Sequence, residues 1–103
     1  MKLEQLKNKK AYVLSVNNYL VLFSYESPVL AFNRDTQSVI LGEDHAYSTT
    51  TSKHINEFLK EYGLLRWLEE LNSRTKRQKE VARGNIECLN QADFEHMYMN
   101  PGI

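Results

Sequence analysis

The sequence predicts an α+β fold: an antiparallel β-meander of about four strands with one packed helix, followed by a helical C-terminal half. Two patterns predict it. Residues 11–41 hold short runs rich in Val, Tyr, Phe, Leu and Ile between turn-forming residues, which is typical of consecutive strands. From residue 51 onwards, apolar residues recur at helical spacing. The chain has 103 residues, of which 42% are hydrophobic, and we expect residues 1–103 to form a single domain.

Residues 11–41 predict the strands of the meander in order. The first run, AYVLSV, is followed by Asn17 and Asn18, which tolerate the positive φ of a two-residue hairpin turn, so that YLVLFSYE returns antiparallel to it. Pro28 opens the third run, and the turn NRDT leads to the fourth, QSVILG. Because the second run is almost continuously apolar, we expect a central strand, covered on both faces by the protein or on one face by a partner.

A helix is predicted over residues 51–62. Ile55, Phe58, Leu59 and Tyr62 fall at i, i+3, i+4 and i+7, which places them on one face of a helix that packs on the sheet. Gly63 suits the left-handed residue that closes a helix.

The stretch YSTTTSKHIN, residues 47–56, concentrates hydroxyl groups just before this apolar stripe. The first N–H groups of a helix lack partners, and a Ser or Thr oxygen at the cap accepts from them. We therefore interpret these hydroxyls as structural, with Thr50, Thr51 or Ser52 as the cap. His54 and Asn56 fall in the first two turns and are either structural or functional.

Residues 64–83 are predicted to be a helical basic addition to this core. Residues 64–71 hold more apolar side chains than one buried face can absorb, so Trp67 belongs either to the core or to a contact surface. Residues 73–83 contain five basic residues and one acidic residue. Residues 86–98 then predict a short strand and a last helix, with Asn90 as its cap and Asp93 in the position of a capping box.

Composition excludes several classes of protein. Thirteen basic residues balance thirteen acidic ones, so no whole-molecule field attracts nucleic acid or an anionic membrane. Cys88 is the only cysteine, which excludes an intrachain disulfide and favours a reducing compartment. No apolar run approaches the roughly 18 residues of a membrane span. We expect a soluble intracellular protein without membrane contact.

Two blocks of residues match a signature that runs roughly Y-x-[ST]-x-V-A and then Y-S-x-T-T-S-[KR]-H-I-N-x-F-L, with Leu30 between the V and A positions of the first block. The matching positions are Tyr25, Ser27, Val29, Ala31, Tyr47, Ser48, Thr50, Thr51, Ser52, Lys53, His54, Ile55, Asn56, Phe58 and Leu59. On these positions the chain resembles a family of short, uncharacterised proteins of bacteriophages and related mobile elements. The resemblance covers residues 19–63 and implies a phage origin and a small β-meander with a packed helix, without an activity. Residues 64–83 lie outside it and are interpreted as additions particular to this protein.

Catalytic and cofactor patterns are missing from the sequence. Ser52 and His54 are two residues apart and do not face each other on a helix. His45, His54 and His96 lack the spacing of metal ligands, and Cys88 has no His near it in sequence. We therefore expect a non-enzymatic protein with no cofactor. An enzymatic role would require His45 or His54 to meet a carboxylate or Cys88 in a pocket.

We expect a small phage accessory protein that acts in the host cytoplasm by binding a host protein or defence system. Inhibition of the bound target is one outcome of this binding. The candidate contact residues are Trp67, Leu68, Arg74, Lys76, Arg77, Lys79 and Arg83. The alternative is a DNA- or RNA-binding regulator that uses the basic stretch 74–83. A homodimer through an open sheet edge or the Leu-rich helix is a further option.

Overall fold

The computed structural model describes residues 2–5 and 10–99. In this part of the chain six strands form one sheet, and they lie in the sheet in chain order. The strands are β1 (Lys2–Gln5), β2 (Ala11–Val16), β3 (Tyr19–Ser24), β4 (Ser27–Asn33), β5 (Val39–Gly42) and β6 (Glu87–Leu89). The helices are α1 (Thr49–Glu61), α2 (Leu65–Leu71), α3 (Arg74–Ala82) and α4 (Gln91–Met99), and a 3₁₀ turn spans Glu43–Ala46. The predicted α+β fold is confirmed.

The predicted meander corresponds to β2–β5, whose neighbours pair antiparallel. One further strand flanks it on each side. Strand β1, which the sequence pattern did not predict, pairs antiparallel with β2. Strand β6 pairs parallel with β5, which is possible because the three helices α1–α3 supply the long crossover that parallel neighbours need.

Strand β3 lies inside the sheet and is covered on both faces by helices of the same chain. On one face Leu22 joins a core with Ile55 and Phe58 of α1. On the other face Val21 packs with Phe94 of α4. All five side chains are fully buried, so the expectation of a strand covered on both faces is confirmed, and the protein itself supplies both covers.

The start of α1 differs from the prediction. Its cap is Ser48, whose backbone is extended (φ −157°, ψ 169°) and whose Oγ accepts from the N–H of Thr51 at 3.2 Å. Thr50, Thr51 and Ser52 lie inside the helix, so their prediction as cap residues is wrong. A cap needs non-helical backbone, and the extended residue that follows the 3₁₀ turn places it earlier in the chain than the apolar stripe alone indicates.

The other predicted helix ends agree with the structure. Gly63 has φ +69°, and the N–H of Leu64 donates to the carbonyl of Leu59 at 2.8 Å, which is the Schellman arrangement. At the start of α4, Asn90 Oδ1 accepts from the N–H of Asp93 at 2.9 Å. Within residues 2–5 and 10–99, no helix is long and apolar enough to cross a membrane.

Candidate functional site

A cleft of about 540 Å³ opens where the β3–β4 turn meets the 3₁₀ turn and the start of α1. We call it the tyrosine cleft. Its lining consists of Ser24, Tyr25, Ser27, Val29, Asp44, Tyr47, Ser48, Thr50 and Thr51. Seven of these nine side chains carry a hydroxyl group, so the surface offers many hydrogen-bond donors and acceptors but only one charge. Its volume is in the range of clefts that hold a ligand or a short segment of a partner.

Two exposed tyrosines form the rim of the tyrosine cleft. Tyr25 is 43% exposed and Tyr47 is 75% exposed. Among the described residues only two other large hydrophobic side chains, Leu65 and Met97, are exposed to this degree. A Tyr side chain offers a large rigid apolar surface and a hydroxyl group at low entropic cost, which makes it common in binding surfaces.

Tyr25 is held in place by unusual backbone geometry. It has φ +52° and the next residue, Glu26, has φ +75°, a conformation that two-residue hairpin turns require and that Gly or Asn normally supply. For an L-residue with a side chain this costs roughly 1–2 kcal/mol. The N–H of Tyr25 donates to the Lys10 carbonyl at 2.9 Å, and its ring lies 5.4 Å from the His54 ring. The turn therefore fixes an aromatic side chain at the cleft where a glycine would be less strained.

The floor of the tyrosine cleft is a buried hydrogen-bond network. Ser24 Oγ lies 2.7 Å from His54 Nδ1 and donates to Thr51 Oγ1 at 3.4 Å. The Thr51 hydroxyl in turn lies 3.2 Å from that of Ser48. Ser24, Thr51 and His54 are all buried. The hydroxyl groups of Ser48 and Thr51 thus have structural partners, and Thr51 and His54 tie strand β3 to the first turns of helix α1.

The Ser24–His54 pair lacks, among the described residues, the third group that orients a catalytic base. Ser24 Oγ and His54 Nδ1 lie within hydrogen-bond distance, and the imidazole tautomer decides which of them donates. Ser24 is also buried. His54 Nε2 is buried without a hydrogen-bond partner in the described residues, so no carboxylate orients the ring. Burial lowers the pKa of His54 below its usual value, with a smaller opposing effect of Glu57. The imidazole is therefore neutral at pH 7 and acts as a packing and hydrogen-bonding group.

A second convergence brings His45, Glu43 and Cys88 to one small cavity of about 270 Å³. The electrostatics disfavour a reactive thiolate there. Burial, and then the Glu43 carboxylate, raises the pKa of the Cys88 thiol. His45 Nδ1 accepts from Arg77 Nε at 3.0 Å, so its lone pair is occupied. A protonated thiol beside an imidazole with no free lone pair at Nδ1 is not an activated nucleophile.

The predicted contact residues divide into buried and exposed groups. Trp67 and Leu68 are partly buried against the main core, and Trp67 Nε1 donates to the Gln37 carbonyl at 3.1 Å. Arg77 is fully buried, so its prediction as an accessible contact is wrong. Its guanidinium donates to four acceptors, which are His45 Nδ1, the carbonyls of His45 and Leu71, and Ser52 Oγ. Of the remaining candidates, Arg74, Lys76 and Lys79 are exposed on α3, and Arg83 is exposed at its C-cap.

The tyrosine cleft escaped the sequence analysis because its parts are distant in sequence. Ser24 and His54, for example, are 30 residues apart. The positive φ of Tyr25 could not be predicted either, because tyrosine rarely adopts it. One signal was present: the two blocks that carry the family resemblance supply most of the lining. Tyr25, Ser27 and Val29 come from the first block, and Tyr47, Ser48, Thr50 and Thr51 come from the second.

The fold and the cleft thus define a small α+β protein with a polar, tyrosine-rimmed cleft. Residues 1–83 match a family of unknown function, DUF8033, and the chain belongs to that family. This agrees with the resemblance to an uncharacterised family. Because the match runs through α2 and α3, the prediction that residues 64–83 are additions particular to this protein is wrong. No curated protein and no solved structure matches the chain.

Proposed function

We propose that the protein is a non-enzymatic binding protein that takes a segment of a partner protein into the tyrosine cleft. The observation that carries the proposal is the pair of exposed tyrosines, Tyr25 and Tyr47, above a lining of hydroxyl groups. Rigid aromatic anchors surrounded by adaptable Ser and Thr contacts are typical of surfaces that recognise proteins. The buried Ser24–His54–Thr51 network holds this surface in one shape, which reduces the entropy lost on binding.

The lining also favours a class of partner segment. Among the described residues, Asp44 is the only charged side chain that lines the tyrosine cleft, so a cationic or neutral polar segment finds a favourable charge there and an acidic one does not. The resemblance to phage proteins implies that the partner is a host protein met in the host cytoplasm. Occupation of the cleft would inhibit that protein if the bound segment belongs to its working surface.

Replacing Tyr47 by Ala is expected to weaken partner binding without loss of folding. The Tyr47 side chain is 75% exposed, so its removal costs the fold little, whereas truncation of a tyrosine anchor costs about 2 kcal/mol of binding, or roughly 30-fold in affinity. The measurement is capture of a partner from host lysate by the tagged protein, followed by titration of the purified partner.

Leu65→Ala is the matched control, because Leu65 is 62% exposed and lies outside the cleft. The proposal fails if Leu65→Ala weakens binding as much as Tyr47→Ala, or if Tyr47→Ala binds like the wild type.

A nucleic-acid-binding regulator is the second candidate, favoured by the four exposed basic side chains of α3 and its C-cap. Two observations weaken it: Arg83 pairs with Glu80 at 3.4 Å, and Lys76 Nζ donates to the Glu69 carbonyl at 3.2 Å. Nuclease treatment of the lysate separates the candidates. Recovery that disappears with nuclease, and with Lys79→Glu, supports this second candidate over the tyrosine cleft.

A further inference from the structure

A second cleft, of about 410 Å³, lies between the starts of α1 and α3. We call it the basic cleft. Its lining consists of Ser48, Thr49, Ser52, Lys53, Asn56, Asn72, Ser73, Arg74 and Thr75. Two of these residues are basic and none is acidic. Both basic side chains, Lys53 and Arg74, are exposed, so they are free to turn towards a ligand. The basic cleft therefore differs in charge from the adjoining tyrosine cleft, with which it shares Ser48.

A buried positive charge lies directly behind the basic cleft. Arg77 is fully buried, and among the described residues its guanidinium donates only to neutral groups. One of them is Ser52 Oγ, at 2.7 Å, and Ser52 lines the cleft. Burial and the charge of Arg74 lower the pKa of Arg77 to about 10, so it keeps its charge at neutral pH. A buried charge without a counter-charge is unfavourable, and an anion in the basic cleft would supply one.

One contact joins the two sides of the basic cleft. Asn56 Nδ2 donates to the carbonyl of Asn72 at 3.2 Å, and both residues line the cleft. The hydroxyl groups of Thr49, Ser52 and Thr75 in the lining offer further donors to an oxyanion.

The backbone adds to the positive potential. Helix α1 begins after its cap Ser48 and helix α3 after its cap Ser73, and neither has an acidic residue in its first turn. Both caps line the basic cleft. The N-termini of two helices therefore meet there, each with a partial positive charge and N–H groups that no carbonyl of its own helix accepts.

We propose that the basic cleft binds a phosphate group, held by Lys53 and Arg74 between the starts of α1 and α3. The bound group balances the buried charge of Arg77 through Ser52. The proposed phosphate site does not depend on the proposed function of the tyrosine cleft. A partner segment that carries a phosphate would contact both clefts, because they adjoin at Ser48. The phosphate is either free or part of a monoester.

The test titrates the full chain with inorganic phosphate at constant ionic strength, with chloride as the replaced ion, and follows backbone amide resonances by NMR. Saturable shifts are expected at Thr49, Thr50, Arg74 and Thr75. The variants Lys53→Gln and Arg74→Gln should each weaken the fitted dissociation constant at least about tenfold, because each removes a charge-assisted contact.

The matched controls are Lys60→Gln and Lys79→Gln, which remove exposed charges from the same two helices outside the cleft. The proposal is overturned if these controls weaken binding as much as the cleft variants, or if phosphate causes no saturable shift at the four amides.

Two further ligands distinguish the source of the phosphate. Tighter binding of phosphoserine than of inorganic phosphate supports the site and assigns it to a phosphorylated protein segment. Tighter binding of adenosine monophosphate supports the site and assigns it to a nucleotide. Tyr47→Ala should leave all of these constants unchanged, so that failure of this site and failure of the tyrosine cleft are separate results.

Discussion

Arg77→Lys is expected to destabilise the protein by about 3 kcal/mol or more, because lysine keeps the buried charge and loses the geometry that satisfies it. The guanidinium of Arg77 donates to four acceptors in three different directions, at distances of 2.7 to 3.1 Å. An ammonium group has three donors at one point and cannot reach acceptors on the 3₁₀ turn, α1 and α2 together. The free energy of unfolding in urea is the measurement.

Arg74→Lys is the matched control for this prediction. Arg74 is exposed on the same helix, and we expect its replacement to change the free energy of unfolding by less than about 0.5 kcal/mol. Equal effects of the two substitutions would show that the Arg77 hydrogen bonds do not stabilise the fold.

Lowering the pH from about 6.5 to about 4 is expected to remove a contribution of His45 to stability. Burial, and then the charges of Arg77 and Arg74, lower the pKa of folded His45 to about 4, against 6.5 for the unfolded chain. Between these values the unfolded chain binds more protons, so stability rises with pH and is lost as the pH falls. The shift corresponds to roughly 3 kcal/mol. Protonation also removes the acceptor of the Arg77 Nε–H.

The measurement is the free energy of unfolding as a function of pH for the wild type and for His45→Asn. The carboxylates titrate in both proteins, so the difference between the two profiles isolates His45. We expect the wild type to lose more stability than the variant between about pH 6.5 and about pH 4. Parallel profiles over this range would contradict the pKa given to His45.

Local patterns predicted the elements of the fold whose physical cause is local. The alternation of apolar runs and turn residues predicted β2–β5, and the i, i+3, i+4 spacing predicted α1, because burial of one face imposes both periods. Asn17 has the predicted positive φ of 52°, and Gly63 ends α1 as expected. Strand β1 was not predicted because its sequence, KLEQ, contains only one apolar residue. It is a strand because it pairs with β2.

The sites could not be predicted in the same way because distant residues form them. The partners of Arg77 lie 6, 25 and 32 residues away, and nothing in its sequence neighbourhood separates this buried arginine from the exposed basic residues around it. The basic cleft likewise needs the starts of α1 and α3 to lie side by side. Sequence indicates which residues begin a helix, but tertiary packing decides which helix starts meet.

Hydrogen exchange of the protein, free and bound to its captured partner, tests most directly whether the tyrosine cleft is the binding surface. We expect slower exchange on binding in residues 24–29 and 44–51, which contribute to the cleft, and unchanged exchange in residues 76–83 of the exposed basic surface. Protection confined to residues 76–83, with the two cleft segments unchanged, would contradict it.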